Sequence, residues 1–144
     1  MTGTIMDRFE MPPCAKLLGW RMIEADPKQG CVKVAYEGRP EFCNPAGFIQ
    51  GGLLSAMLDD AMGPAVLLFS NGEVYTPTIT MTVNFLNPAK VGPLIAEARV
   101  VQLGKTVAFI EAKLTDIDGV VIATATSTAR VVSTAKAVTQ MAAK

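Results

Sequence analysis

The spacing of apolar residues along the chain switches from alternation to helical spacing and then back to alternation. Residues 31–36 alternate as a strand does, after a turn signal at residues 26–30. Residues 52–69 are apolar at helical spacing and nearly all round, which predicts a buried helix. Pro64 lies inside this segment and predicts a kink, or the end of the regular helix near Gly63, because proline removes one backbone donor.

Further strand patterns follow the helical segment, at residues 78–85, 94–102, 106–115 and 120–132. The pair Asp118-Gly119 before the last of them is a hairpin signal. Earlier in the chain, residues 17–25 form a short mixed segment and residues 38–51 a loop. The order of strand, helix and four strands predicts an α+β fold, in which an antiparallel meander wraps around one helix.

The chain length of 144 residues fits a single domain spanning residues 1–144, with its core at residues 17–132. We expect the tail at residues 133–144 to be frayed or weakly helical, because its side chains are polar or small. Half of the residues are apolar, which excludes a disordered chain. The 13 basic and 13 acidic side chains argue against a nucleic-acid partner, which would require a basic excess.

The low charge content of 18% predicts that part of the surface is buried against another subunit. We therefore expect a homodimer, or a homotetramer built from two dimers. Long strands such as residues 120–132 could continue the sheet across a two-fold axis, which would also cover a sheet edge.

The cellular compartment is indicated by the cysteines and by the N-terminus. Three cysteines without Cys-x-x-Cys spacing fit a reducing environment, and residues 1–13 lack the apolar core of a signal peptide. No apolar run reaches the length of a membrane span. These features predict a cytoplasmic protein without a membrane partner. The chain has no histidine, which excludes histidine-based nucleophile activation and histidine-ligated metal within one chain; no metal or cofactor is predicted.

Two carboxylates, Asp59 and Asp60, interrupt the most apolar helix of the chain. A buried carboxylate must be hydrogen-bonded, paired or raised in pKa, so each is either a structural group or a functional one. Gly51 and Gly52 come just before this helix, where unpaired backbone N–H groups favour a developing negative charge. Such donors suit an oxyanion, although two glycines also suit a tight turn into a helix.

These residues together resemble the signature of the hotdog-fold acyl-CoA thioesterases, in particular the phenylacetate-degradation type. The resemblance rests on Asn44, on Gln50-Gly51-Gly52 and on Asp59 eight residues after Gly51. It extends over residues 17–132 through the segments 78–90 and 104–109 and the hairpin at 118–119. It implies a hotdog fold, with an antiparallel sheet around a long central helix.

The resemblance also implies a role for each matching residue. Asp59, rather than Asp60, is the acid that acts as general base or as nucleophile. Gly51 polarises the thioester carbonyl, Asn44 positions the water or the carboxylate, and Thr78 lies near the site. Gln50 stands where most relatives carry histidine; it can donate and accept a hydrogen bond but cannot protonate near neutral pH. Because the family's clefts lie between subunits, Gly51 and Asp59 of one site would come from different chains.

The substrate-binding residues that we predict are an apolar group for the acyl chain and a basic group for the phosphates of CoA. The apolar group comprises Phe48, Met57, Met62 and Phe85, and the basic group comprises Lys90, Lys105 and Arg130. Gly52 is a further substrate-binding candidate, through its backbone N–H. Core packing is the alternative role for the methionines and for Phe85. A surface contact is the alternative for each cation.

The leading hypothesis for function is hydrolysis of an acyl-CoA thioester to free acid and CoA. A carboxylate base, a polarising N–H and a positioned water suffice for this chemistry. The main alternative is a binding protein that holds acyl-CoA without turnover because of Gln50. A hotdog dehydratase or hydratase ranks last, because the catalytic histidine of those relatives is missing.

Overall fold

The computed structural model describes residues 3–137. The helices are two short 3-10 helices, Ile5–Arg8 and Pro40–Phe42, and two α-helices, α1 (Pro13–Leu18) and α2 (Gly51–Phe69). The strands are β1 (Arg21–Asp26), β2 (Cys31–Gly38), β3 (Val74–Tyr75), β4 (Thr78–Phe85), β5 (Gly92–Leu103), β6 (Val107–Asp116), β7 (Val121–Arg130) and β8 (Val132–Ser133). Residues 138–144 of the tail expected to fray lie outside the described residues.

Six strands form one antiparallel sheet in the order β1-β2-β5-β6-β7-β4, and β3 pairs with β8 in a small ribbon. The prediction of an α+β fold with a sheet around one helix is confirmed. The prediction of a four-strand meander is wrong for β4, because only β5, β6 and β7 follow one another. Strand β4 instead pairs with β7 and forms an edge of the sheet.

The long last strand that we predicted over residues 120–132 is two strands. β7 ends at Arg130, and β8 leaves the sheet to pair with β3. Within the sheet β7 has β6 on one side and β4 on the other, so it has no free edge for a second subunit. The expectation that this strand continues the sheet across a two-fold axis is therefore wrong, and β1 and β4 are the strands with open edges.

Helix α2 packs its apolar side chains against the inner face of the sheet and supplies much of the core. Its residues Met57, Leu58, Ala61, Ala65 and Val66 have no measurable exposure. The helix continues through Pro64 to Phe69, so of the two outcomes predicted for Pro64 the end near Gly63 is wrong and the kink stays a prediction. Apolar burial from the sheet offsets the donor that the proline lacks, and it holds the helix where its intrinsic propensity is poor.

By length and composition alone, α2 is also apolar enough to cross a membrane. The expectation that no segment reaches this length is therefore wrong. The same composition is required of a helix at the centre of a fold, and α2 lies there, against the sheet. Its apolar character is accounted for by that packing.

Candidate active site

The N-terminus of α2 is capped by Gln50, whose backbone is extended and whose side-chain Oε1 accepts a hydrogen bond from the Leu53 N–H at 3.3 Å. The next two N–H groups, of Gly51 and Gly52, have no carbonyl to reach within the helix. A Cβ at Gly52 would lie 2.7 Å from Gln50 Oε1, so the capping geometry requires glycine at position 52. The Gln50 amide nitrogen remains available as a donor beside the two free N–H groups.

A cleft of about 350 Å³ opens beside this helix end. Its walls include Phe48, Gly51, Leu54 and Phe85, and its rim includes Asn44. The Phe85 ring covers Gly51 so closely that a Cβ there would stand 3.2 Å from it. The structure thus brings together four residues that we predicted for the site, Asn44, Phe48, Gly51 and Phe85.

The side chain of Asn44 organises the loop before α2. Its Oδ1 accepts hydrogen bonds from the N–H groups of Ala46 at 3.0 Å and Phe48 at 3.1 Å. Its backbone N–H donates to the Phe48 carbonyl at 2.7 Å. This folds the loop tightly and holds Phe48 at the cleft. The Asn44 oxygen is therefore occupied by the backbone, and only its amide nitrogen could contact a substrate or a water.

Asp59 is exposed and accepts a hydrogen bond from Thr78 Oγ1 at 2.7 Å. A β-bulge between Thr78 and Thr80 makes this contact possible. Strict alternation would place Thr78 on the outer face with Thr80, but the extra residue turns it to the helix side, opposite the buried Ala129. One face of the Asp59 carboxylate is thus fixed and the rest is open to solvent.

Asp60 points to the other flank of the helix and accepts a hydrogen bond from the Tyr36 hydroxyl at 2.9 Å. Burial raises the pKa of the Asp60 carboxyl, the Tyr36 hydrogen bond lowers it, and the neighbouring Asp59 raises it. Burial raises the pKa of the Tyr36 hydroxyl, and the charge of the neighbouring Asp60 raises it further. We did not predict Tyr36 as a site residue, although alternation along residues 31–36 places its side chain on the helix-facing side of β2.

The three predicted cations lie at two ends of the molecule. Lys90 follows Ala89, a wall of the cleft whose carbonyl accepts from the Ile49 N–H at 2.8 Å. Arg130 lies at the Asp59 end, where its N–H donates to the Pro77 carbonyl at 2.8 Å, just before Thr78. Lys105 lies in the turn between β5 and β6. This turn is close to Arg130, because the N–H of the next residue, Val131, donates to the Thr106 carbonyl.

The two predicted methionines, Met57 and Met62, are fully buried in the core. They face the sheet and are absent from the walls of the cleft, so the structure places them in the alternative role of core packing. A larger trough of about 670 Å³ lies on the outer face of the sheet, where Glu97 forms ion pairs with Lys33 and Lys113. None of the predicted site residues lines it.

Gly51 and Asp59 do not meet within one chain. They are eight residues apart on a continuous helix, which separates them by about 12 Å along its axis. A single reacting carbonyl is far smaller than this distance. Within residues 3–137, no three His, Cys, Asp or Glu side chains come together in a group that could hold a metal ion. The chain therefore presents a helix end with N–H groups that are unpaired within the helix and, apart from it, a hydrogen-bonded carboxylate.

Comparison with known proteins identifies the family. A candidate esterase of Saccharolobus solfataricus is 30% identical over 104 residues, or 72% of each chain. Human acyl-coenzyme A thioesterase 13 is 31% identical over 77 residues, or 53% of this chain and 54% of the human one. The crystal structure of a candidate thioesterase of Ralstonia eutropha, described as phenylacetic acid degradation-related, has a TM-score of 0.82 at 32% identity and covers 88% of this chain and 95% of that one.

The resemblance found in the sequence and the hotdog fold are both confirmed by these relatives. Residues 46–123, which include the helix N-terminus, Asp59, Thr78 and the cleft residues other than Asn44, match the thioesterase superfamily. The chain belongs to the thioesterase superfamily, and its class of activity is thioester hydrolysis.

Proposed function

We propose that the protein hydrolyses acyl-CoA thioesters at a site that two subunits share. The observation that carries this proposal is the exposed Asp59 carboxylate, held by Thr78 at 2.7 Å and about 12 Å along the helix from the free N–H of Gly51. Both groups suit one reaction, yet they are too far apart to act on one carbonyl from the same chain. A second copy supplies the missing half.

In the proposed reaction, the Gly51 N–H of one subunit binds the thioester oxygen, and Asp59 of the other removes a proton from water. The water oxygen bonds to the carbonyl carbon, the negative charge moves to the carbonyl oxygen, and the N–H stabilises it. Collapse of this intermediate expels the CoA thiolate, which takes up the proton. Thr78 keeps Asp59 oriented, and the Gln50 amide donates to the oxyanion or to the departing sulfur.

The substrate contacts in this proposal come from the N-terminus of the helix and from the surroundings of Asp59 near its middle. The apolar walls of the cleft, Phe48, Leu54 and Phe85, would hold the acyl chain. Lys105 and Arg130 would meet the CoA phosphates beside Asp59, and Lys90 is a third cation at the cleft. The human relative's name as an acyl-coenzyme A thioesterase supports CoA as the thiol carrier.

The edge of β4 is the surface that we propose for the subunit contact. Its Ile79 is 57% exposed and its Phe85 is 54% exposed, while its backbone edge has no partner strand in the sheet. Pairing two such edges around a two-fold axis would cover both and would bring the helices of the two subunits side by side. The result would be a homodimer, from which a homotetramer could be built.

A complementation experiment tests both the chemistry and the sharing. Asp59→Asn removes the base, and Gly51→Pro removes the N–H at the first helical position, where proline is tolerated and where the extended Gln50 suits a following proline. We expect each variant alone to lose about 10²–10³-fold in kcat. Refolding an equal mixture should restore about a quarter of parental activity, since half of the dimers are mixed and each has one intact site of two.

The control is each variant refolded alone, which should stay inactive. A mixture as inactive as its components would contradict the shared site. An Asp59→Asn variant with parental activity would contradict the catalytic role. Parental protein that binds acyl-CoA without releasing free thiol would favour the binding-protein alternative.

A further inference from the structure

The hydrogen bond between Tyr36 and Asp60 has no part in the proposed chemistry. The Tyr36 side chain is only 1% exposed and is among the largest fully buried side chains of the core. Its hydroxyl crosses from β2 to the helix and donates to Asp60 at 2.9 Å. Asp60 is half-buried in a helix whose other core-facing residues are apolar. A polar pair therefore occupies a position that apolar side chains could fill.

The free energy of folding does not explain this pair. Burial opposes the charge of Asp60, and so does the charge of the adjacent Asp59. One hydrogen bond from Tyr36 offsets these effects only in part. Replacing a buried ionic or polar pair by apolar residues of similar size is often neutral or stabilising in proteins. A buried hydrogen bond does have one property that apolar packing lacks, which is a fixed direction.

The direction matters because Asp59 and Asp60 are consecutive on the helix. Consecutive helical residues point about 100° apart around the axis. Asp59 is bonded to Thr78 on β4, and Asp60 is bonded to Tyr36 on β2. These strands lie towards opposite sides of the sheet, with β5, β6 and β7 between them. The two hydrogen bonds thus tie one point of the helix to both flanks of the sheet that surrounds it.

We propose that Tyr36 and Asp60 are positioning residues, whose hydrogen bond fixes the rotation of α2 about its axis and thereby directs the Asp59 carboxylate at the reacting water. The proposal rests on the proposed role of Asp59. A carboxylate on a helix lies about 5–6 Å from the axis, so a rotation of about 10° displaces it by about 1 Å. A displacement of this size can lower the rate by about 10²-fold.

Three variants and a matched control test the proposal. Tyr36→Phe removes only the hydroxyl, Asp60→Ala removes the acceptor, and Asp60→Asn keeps an acceptor oxygen but removes the charge. Tyr75→Phe is the control, because Tyr75 is half exposed on the β3–β8 ribbon. The measurements are kcat and KM for an acyl-CoA that the parent hydrolyses, and the thermal unfolding temperature.

We expect Tyr36→Phe and Asp60→Ala each to lower kcat by about 10-fold or more with KM within about twofold, since positioning acts on the chemical step. The double variant should be no slower than Asp60→Ala alone, because the two groups act as a unit. Asp60→Asn should keep kcat within about threefold of the parent.

The proposal is overturned if Tyr36→Phe and Asp60→Ala keep kcat within twofold of the parent. It is also overturned if Asp60→Asn is as slow as Asp60→Ala, because the charge rather than the bond would then matter. These outcomes differ from failure of the proposed function. If Asp59→Asn keeps parental activity, the proposed function fails. If Asp59→Asn is inactive while Tyr36→Phe and Asp60→Ala are as active as the parent, only the positioning role fails.

Discussion

Replacing Gly52 by alanine should separate the stability of helix α2 from its chemistry. A Cβ at this position would stand 2.7 Å from Gln50 Oε1, a distance that real Cβ contacts do not reach. The Gln50 side chain is the group that can move, so we expect it to leave its position over the helix end. Its hydrogen bond from the Leu53 N–H would then be lost, and its amide nitrogen would no longer lie beside Gly52.

The expected change in the free energy of unfolding is small because two effects oppose each other. Loss of a side-chain cap costs about 0.5–2 kcal/mol. Replacing a helical glycine by alanine contributes about 0.5–1 kcal/mol in the other direction. We therefore expect the free energy of unfolding to change by less than about 1 kcal/mol. The kcat/KM value should nevertheless fall by about 10-fold or more, as it should in Gln50→Ala, if the amide is a donor to the oxyanion.

The assay is release of free CoA thiol at several substrate concentrations, combined with urea unfolding of the same samples. Gly63→Ala is the stability control. Gly63 lies in the same helix, and a Cβ added there would have nothing within 4 Å. The variant should therefore report helix propensity alone and raise the free energy of unfolding by about 0.5–1 kcal/mol. The double variant Gln50→Ala, Gly52→Ala should be as active as Gln50→Ala. If Gly52→Ala keeps full activity, or if the two substitutions multiply, Gly52 does not act through Gln50 and the reasoning is refuted.

Three further predictions concern protonation and substrate contacts. Gln50→His should retain hydrolysis and add an inflection to kcat/KM near pH ~6.5, where the parent profile stays flat; an inflection already present in the parent would contradict this. Asp60→Asn should gain stability relative to the parent as the pH rises above 3.8. The raised pKa of Asp60 means that the parent loses free energy of unfolding as its carboxyl ionises, whereas the amide does not ionise. Urea unfolding across the acid range measures the difference in stability between the two proteins, and a difference that does not change with pH would contradict the prediction. Lys105→Ala and Arg130→Ala should raise the KM for acyl-CoA severalfold more than the KM for acyl-pantetheine, which lacks the nucleotide and its phosphates. Lys90→Ala is tested in the same way. Equal increases in KM for both substrates would exclude a phosphate contact.

The sequence predicts the elements of this fold better than their arrangement. Alternation and helical spacing place the buried helix and the strands β2, β4, β5 and β6 within a few residues of where they lie, because burial on one face imposes a period on each segment. No periodicity in the sequence indicates which strand pairs with β4. Its apolar face would suit a place beside β5 as well as its observed place beside β7, and the choice is made by packing around the helix.

In the site, too, contacts between residues close in the chain could be predicted, whereas contacts between residues far apart in the chain could not. Gln50, Gly51 and Asp59 lie on one helix, so their spacing in the chain is their spacing in the structure. The contact of Asp59 with Thr78 depends on a bulge in a strand 19 residues away, which alternation cannot indicate. Tyr36 carried a signal that could have been used: alternation places it on the same face of β2 as the buried Val32 and Val34, facing a helix that carries a second carboxylate.

The bulge in β4 also has a consequence for how the protein can diverge. It makes the first residue of the strand, Thr78, independent of the six at residues 80–85. Thr78 faces the helix and holds Asp59, whereas the strand from Thr80 onward keeps its own register against β7. Substitutions that remodel the exposed edge at residues 80–84 leave the orientation of Thr78 unchanged. The surface of this edge can thus change in descendants of this chain without turning Thr78 away from Asp59, with Ile79 as the boundary.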